Sequence, residues 1–258
     1  MDRNAPIGIF DSGMGGLSVC REVRRLLPEE SVVYLADGKN CPYGDRDPKD
    51  IAAYTREAVE ALLERGVKLI IVACNTATAV AIDFLREHYD IPFVGMEPAV
   101  KPAALGTKSG TIGILATRAA LSGELFLTTS AKYSERVEII PVVGEGFVEA
   151  VEEGCEESAE TLELVGRTLE PVLAKGADHI VLGCTHYPFL EGAIRKVIEG
   201  KGVTIVNPAP AVARRTEWLL READMLAEEG HFAECSFVTF GSDEYLARII
   251  RKAAEIEE

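Results

Sequence analysis

The sequence predicts an α/β protein of two similar lobes, each a mostly parallel sheet flanked by helices, with the active site in the cleft between them. Three observations carry this expectation. Strand-like runs rich in β-branched residues alternate with segments of helical periodicity along the 258 residues, which is how a parallel sheet with outer helices is encoded. Hydrophobic residues make up 47% of the chain, enough for sizeable cores and too many for a disordered polymer. A bend at Gly95-Met96-Glu97-Pro98 divides the strands into two sets, which favours two modest sheets over one large one.

The elements follow in order. Pro6–Phe10, Val32–Leu35, Lys68–Ala73 and Ile91–Val94 read as the first strands. Between the second and third, Ile51, Tyr54, Ala58, Val59, Leu62 and Leu63 keep helical spacing; Asp47-Pro48 opens this helix and Gly66 stops it. The theme repeats in Thr111–Leu115, Val137–Ile140, His179–Leu182, Val203–Val206 and Ser236–Phe240. From Glu145 to Glu170 nine glutamates face a single Arg167, the composition of a solvated helical surface. Ala209–Glu229 reads as one long amphipathic helix holding Trp218, the only tryptophan, placed there for core or subunit packing.

Charge and cysteine usage narrow the function. The net charge of −15 argues against nucleic acid as main partner, because gripping phosphates needs a clustered basic face. The longest apolar run, Leu69–Cys74, is far short of the about 20 residues that span a bilayer. Met1–Pro6 has no apolar core or cleavage pattern of a secretory signal, so a cytoplasmic protein is expected. The six cysteines include no CxxC pair, which argues against a disulfide framework or a zinc site; no metal is expected.

The first strand runs into Asp11-Ser12-Gly13-Met14-Gly15-Gly16-Leu17-Ser18, and Asp37 closes the second. This imitates a dinucleotide fingerprint but fails it: Ser18 stands where the third glycine belongs, and Asp11 would repel a pyrophosphate at the loop mouth. Asp11 is either a chemical participant or an Asx-type turn cap.

Two other strands end alike, in Cys74-Asn75-Thr76 and in Cys184-Thr185-His186. Ligands bind beyond the carboxyl ends of parallel strands, and a helix start there favours a thiolate and cradles carboxylates. Both thiols are placed at or just before such a start. His186 can share a proton with Cys184, or it is a structural turn histidine; Asp11 is a candidate for the corresponding role at Cys74. Two thiols, one from each lobe, suit removal of a proton from one face of a carbon acid and delivery to the other.

At these residues the chain resembles the glutamate racemases of the cofactor-independent aspartate/glutamate racemase superfamily. The resemblance covers nearly the whole length and rests on Ile9–Leu17, Pro42-Tyr43-Gly44, Val72–Ala77, Val151–Gly154 and Leu182–Pro188. It implies that Cys74 and Cys184 are the proton donor and acceptor, with Cys74 acting on D-glutamate and Cys184 on L-glutamate. It implies that Asp11 assists Cys74, and that His186 and Glu152 assist Cys184. Substrate contacts then come from Asp11, Ser12, Tyr43, Gly44, Asn75, Thr76, Thr185 and His186, with no cofactor. The chain lacks a Cys-Pro segment common in the family before Val-Glu-Glu, reading Val143–Phe147 instead, which leaves Glu153 as a rival to Glu152. Cys41 is an extra thiol and is read as incidental. The resemblance returns the C-terminal segment to the first lobe, giving lobes of 1–97 plus 207–258 and of 98–206. Family habit and the amphipathic C-terminal helices favour a homodimer, and the implied product, D-glutamate, is a peptidoglycan precursor.

Overall fold

A computed structural model describes residues 2–256. The chain forms two compact units, one of residues up to Met96 with those from Ala209 onward, the other Glu97–Pro208.

The first unit opens with β1 (Ile7–Asp11), α1 (Leu17–Leu26), β2 (Val32–Ala36), α2 (Pro48–Leu63), β3 (Leu69–Val72), α3 (Asn75–His88) and β4 (Phe93–Gly95). Every residue of β1, β2 and β3 is buried, the pattern of a parallel sheet covered on both faces rather than one wetted face. Local chemistry sets the helix ends. The Asp47 carboxylate accepts from the Lys49 N–H at 2.8 Å and Pro48 occupies the first turn of α2, so an otherwise orphaned donor is capped and the missing proline N–H costs nothing. Beyond α2 the chain turns at Gly66, whose φ of +69° suits glycine.

The second unit comprises α4 (Val100–Gly106), β5 (Thr111–Ala116), α5 (Arg118–Ser122), α6 (Glu124–Ala131), β6 (Glu138–Val143), α7 (Phe147–Glu152), α8 (Ala159–Ala174), β7 (His179–Gly183), a 3-10 turn Tyr187–Leu190, α9 (Glu191–Ile198) and β8 (Thr204–Val206). Its sheet has the order β6-β5-β7-β8, all parallel. On α8 the residues Thr161, Val165, Leu169 and Val172 form the buried stripe, while Glu160, Glu163 and Glu170 are exposed, as expected of a solvated acidic face.

The chain then rejoins the first unit through α10 (Ala209–Glu222), β9 (Cys235–Thr239) and α11 (Asp243–Glu255). β9 adds to β2 in parallel, completing the order β4-β3-β1-β2-β9. A buried ion pair, Lys68 Nζ to Glu30 Oε2 at 2.5 Å, anchors this return. Lys68 also donates to the carbonyls of Arg3 and, at 2.9 Å, Met225, and Glu30 Oε1 accepts from the Ala227 N–H at 2.7 Å. The charges are thus paired and hydrogen-bonded, the condition under which burial is tolerated.

The architecture is α/β, with two parallel sheets flanked by helices. Two expectations are corrected. The helix predicted over Ala209–Glu229 ends at Glu222: Asp224 adopts φ +52°, its N–H bonds to Arg221 O, and Met225 N–H reaches back to Leu220 O at 2.7 Å. This is a Schellman stop with aspartate where glycine is usual. Of the two placements expected of Trp218, core or subunit packing, the core one does not hold: it is 48% exposed, with the Arg215 guanidinium 4.2 Å from its ring centroid. Among the described residues no helix is long and apolar enough to cross a membrane.

Candidate active site

In the first unit the site grows from the carboxyl ends of β1 and β3, which are neighbours in the sheet. Asp11, the last residue of β1, is fully buried, and its Oδ2 accepts from the N–H groups of Gly13 at 3.2 Å and Gly16 at 3.0 Å. A Cβ at Gly16 would fall 2.6 Å from Asp11 Cβ. The glycine loop therefore wraps a carboxylate of its own chain, which explains why it imitates a phosphate loop. The Tyr34 hydroxyl fastens the same loop by donating to Gly13 O at 2.7 Å. The turn-cap role of Asp11 is thus realised, and its carboxylate lies in the loop that carries Ser12.

Cys74, 4% exposed, is the N-cap of α3. Its Sγ accepts from the Ala77 N–H at 3.5 Å and lies 3.5 Å from Ser12 Oγ. The N-terminus of a long helix is a favourable setting for negative charge on that sulfur. Asn75 follows, also 4% exposed, and both polar atoms of its amide are buried without a hydrogen-bond partner in the protein. An orphaned amide costs about 1–3 kcal/mol, so its persistence beside a buried thiol points to a polar ligand that completes it. Thr76 is buried next to it.

Tyr43, expected among the substrate contacts, is buried and held by a neighbouring carboxylate. Its hydroxyl donates to Asp37 Oδ2 at 2.6 Å. Burial, the hydrogen bond to Asp37 and then the charge of that carboxylate push the phenol far up, so Tyr43 stays protonated and anchors the turn carrying Gly44. Asp37 itself is fully buried and also accepts from Asn40 Nδ2 at 2.9 Å. The sequence marks Asp37 only as an acid closing a strand, and its work in holding this turn was not foreseen.

In the second unit Cys184, 8% exposed, follows β7. Its Sγ lies 3.8 Å from His186 Nδ1, and His186 Nε2 lies 2.7 Å from Glu152 Oε1. His186 and Thr185 are buried, and Glu152 closes α7. Glu152 rather than Glu153 makes this contact: Glu153 caps the end of α7 and is exposed. The Tyr187 hydroxyl donates to Gly144 O at 3.3 Å and its ring meets Phe147 edge-on at 5.3 Å, which fixes the turn bearing His186 against the start of α7. The two thiols are not equivalent. Cys74 caps an α-helix of 14 residues, whereas Cys184 stands in a turn ahead of a 3-10 segment of four, so the expected helix start is absent there and a histidine–carboxylate pair stands in its place.

Comparison with known proteins agrees with this chemistry. Residues 7–216 match the family described as Asp/Glu/Hydantoin racemase. The glutamate racemase of Herpetosiphon aurantiacus is 48% identical over 99% of this chain and 100% of its own. Among solved structures, glutamate racemase isoform RacE1 of Bacillus anthracis superposes with a TM-score of 0.87 at 31% identity, over 98% of this chain and 95% of that one. Glutamate racemase of Escherichia coli, in complex with L-glutamate and the activator UDP-MurNAc-ala, gives 0.85 at 34% identity, over 96% and 95% of the two chains.

Proposed function

The chain belongs to the Asp/Glu/Hydantoin racemase family, and from that premise we propose that it is a glutamate racemase whose two cysteines invert the α-carbon without a cofactor. The observation that carries the reading is the pair of buried strand-end thiols, Cys74 and Cys184, each with its own polar retinue.

The α-proton of glutamate is weakly acidic and a thiolate is a weak base for it. Desolvation and donors aimed at the substrate carboxylates must narrow that gap. The matched motifs contain no arginine; recognition falls to backbone N–H groups and to Ser12, Asn75, Thr76 and Thr185. In the L-to-D direction the Cys184 thiolate removes the α-proton. His186 holds the proton that Cys184 gives up beforehand, and Glu152, 2.7 Å from Nε2, steadies the resulting imidazolium. The Cys74 thiol then protonates the opposite face. In the reverse direction Cys74 is the base, in the setting of the α3 N-terminus and the Asp11 loop.

D-Glutamate made this way serves peptidoglycan synthesis in the cytoplasm, and the working form is a homodimer. The test is the purified chain with L-glutamate alone, followed by loss of optical rotation. Conversion that resists both chelator and carbonyl reagents is expected. No conversion, conversion that needs added metal or pyridoxal phosphate, or racemisation of aspartate in preference to glutamate would overturn the proposal.

A further inference from the structure

Thr78 closes the first turn of α3 and is 1% exposed, and the chemistry described above gives it no part. In a helix a threonine hydroxyl ordinarily turns back on the carbonyl three or four residues earlier; Thr55 does so with Ile51 O at 2.7 Å and Thr216 with Val212 O at 3.0 Å. The Thr78 hydroxyl instead donates to the carbonyl of Val72, the last residue of β3, at 3.0 Å, and accepts from the Met96 N–H, just past β4, at 3.0 Å. Its own N–H meanwhile holds Cys74 O at 2.9 Å. One buried residue thus joins the end of β3, the backbone of Cys74 and the exit of β4. The spot is shaped for it: a Cβ at Gly95 would fall 2.7 Å from Thr78 Cγ2, so the glycine leaves the room that the threonine methyl fills.

We propose that Thr78 is a positioning residue for Cys74: its hydroxyl fixes the short turn from β3 into α3, and with it the sulfur that works on D-glutamate. This rests on the two-thiol reading given above. Only Ala73 stands between Val72 and Cys74, so a shift of the Val72 carbonyl is passed almost directly to the thiol. Two other hydrogen bonds hold the turn, the Ala73 N–H to Phe10 O at 2.8 Å and the Ala77 N–H to the sulfur itself. Neither reaches from α3 to β3 or β4, and the Thr78 hydroxyl reaches both. Without it the Val72 carbonyl and the Met96 N–H lose a buried partner, and the turn relaxes to recover one. A displacement of about 1 Å at a reacting group can cost about 100-fold in rate. Cys184 belongs to the other unit and does not depend on this brace.

The experiment follows α-hydrogen exchange in deuterated water at saturating glutamate, so that weakened binding is overcome and kcat alone is read. Thr78→Val keeps the side-chain shape and removes the hydroxyl. In the Cys184→Ala background it should slow exchange of D-glutamate by about 10- to 100-fold, while in the Cys74→Ala background exchange of L-glutamate should stay within about twofold of its parent. Thr78→Ser and Thr78→Ala both lack the methyl and differ only in the hydroxyl, so they repeat the test if Thr78→Val does not fold: Thr78→Ser should exchange D-glutamate near the parent rate, and Thr78→Ala should show the loss. Equal slowing in both backgrounds, Thr78→Ser as slow as Thr78→Ala, or undiminished D-glutamate exchange once the hydroxyl is gone would overturn the proposal. Failure of the underlying reading looks different: a Cys184→Ala parent with Thr78 intact that exchanges no D-glutamate would overturn the two-thiol division and this proposal with it.

Discussion

At the scale of single residues, Asn75 and Glu152 separate binding from proton handling. The Asn75 amide is buried with no hydrogen-bond partner in the protein, so a polar ligand that pairs it gains affinity there. Asn75→Ala is expected to leave thermal stability unchanged or slightly raised while KM for glutamate rises roughly 10- to 100-fold, the worth of one to two hydrogen bonds to charged groups. Parallel melting and kinetic measurements check this; a destabilised variant with unaltered KM would make Asn75 purely structural. Glu152 acts on the imidazole that meets Cys184. Glu152→Gln should lower racemisation about 10- to 100-fold, equally in both directions because enantiomers have equal free energy. Exchange of the D-glutamate α-hydrogen in deuterated water should persist, since it needs only Cys74. The sequence places Glu152 and Glu153 side by side without deciding between them; the turn geometry at the end of α7 decides, and no periodicity encodes that.

At the scale of elements, the legible features are those with a local chemical signal. Asp47-Pro48 announces α2, and the β-branched runs announce the strands, because caps and burial on both faces act over a few residues. The end of α10 was illegible because Asp224 takes a conformation that composition assigns to glycine. Asp178 shows how such local devices hold an element. It precedes β7 and receives the Thr107 hydroxyl at 2.6 Å, the N–H groups of Lys108 and Ser109, and His179 Nδ1 at 2.8 Å. Burial opposes its ionisation, but these bonds more than offset it and hold the carboxyl well below the usual carboxylate range. Its stabilising contribution is therefore complete above about pH 4, the unfolded carboxylate value, and is lost only as pH falls through the lower folded value. Asp178→Asn should cost roughly 1–3 kcal/mol at pH 7. The gap in urea midpoint between wild type and variant should stay constant near neutrality and narrow below about pH 4; a gap that widens in acid would reverse the sign of this account.

At the scale of the whole molecule, the two sheets and the two strand-end thiols were readable from repetition, since Cys74 and Cys184 end similar strands. The proposed reaction makes a demand at this scale: one thiol from each unit must address one of two faces of the same carbon. Changing Cys184 to alanine should then abolish inversion, because a carbanion formed by Cys74 has no donor on its other face. Cys74 alone can still remove and return a proton on its own face. In deuterated water Cys184→Ala should therefore wash out the α-hydrogen of D-glutamate slowly and leave L-glutamate untouched, and Cys74→Ala should show the opposite preference. The asymmetry of the two settings adds a second expectation: exchange by Cys74→Ala should be further impaired by Glu152→Gln, whereas exchange by Cys184→Ala should not respond to it. Proton NMR of the α-hydrogen for each enantiomer reads all four cases. Exchange of both enantiomers by either single variant, or racemisation near the wild-type rate, would replace the two-thiol division of labour with a single mobile base, for which His186 is the candidate.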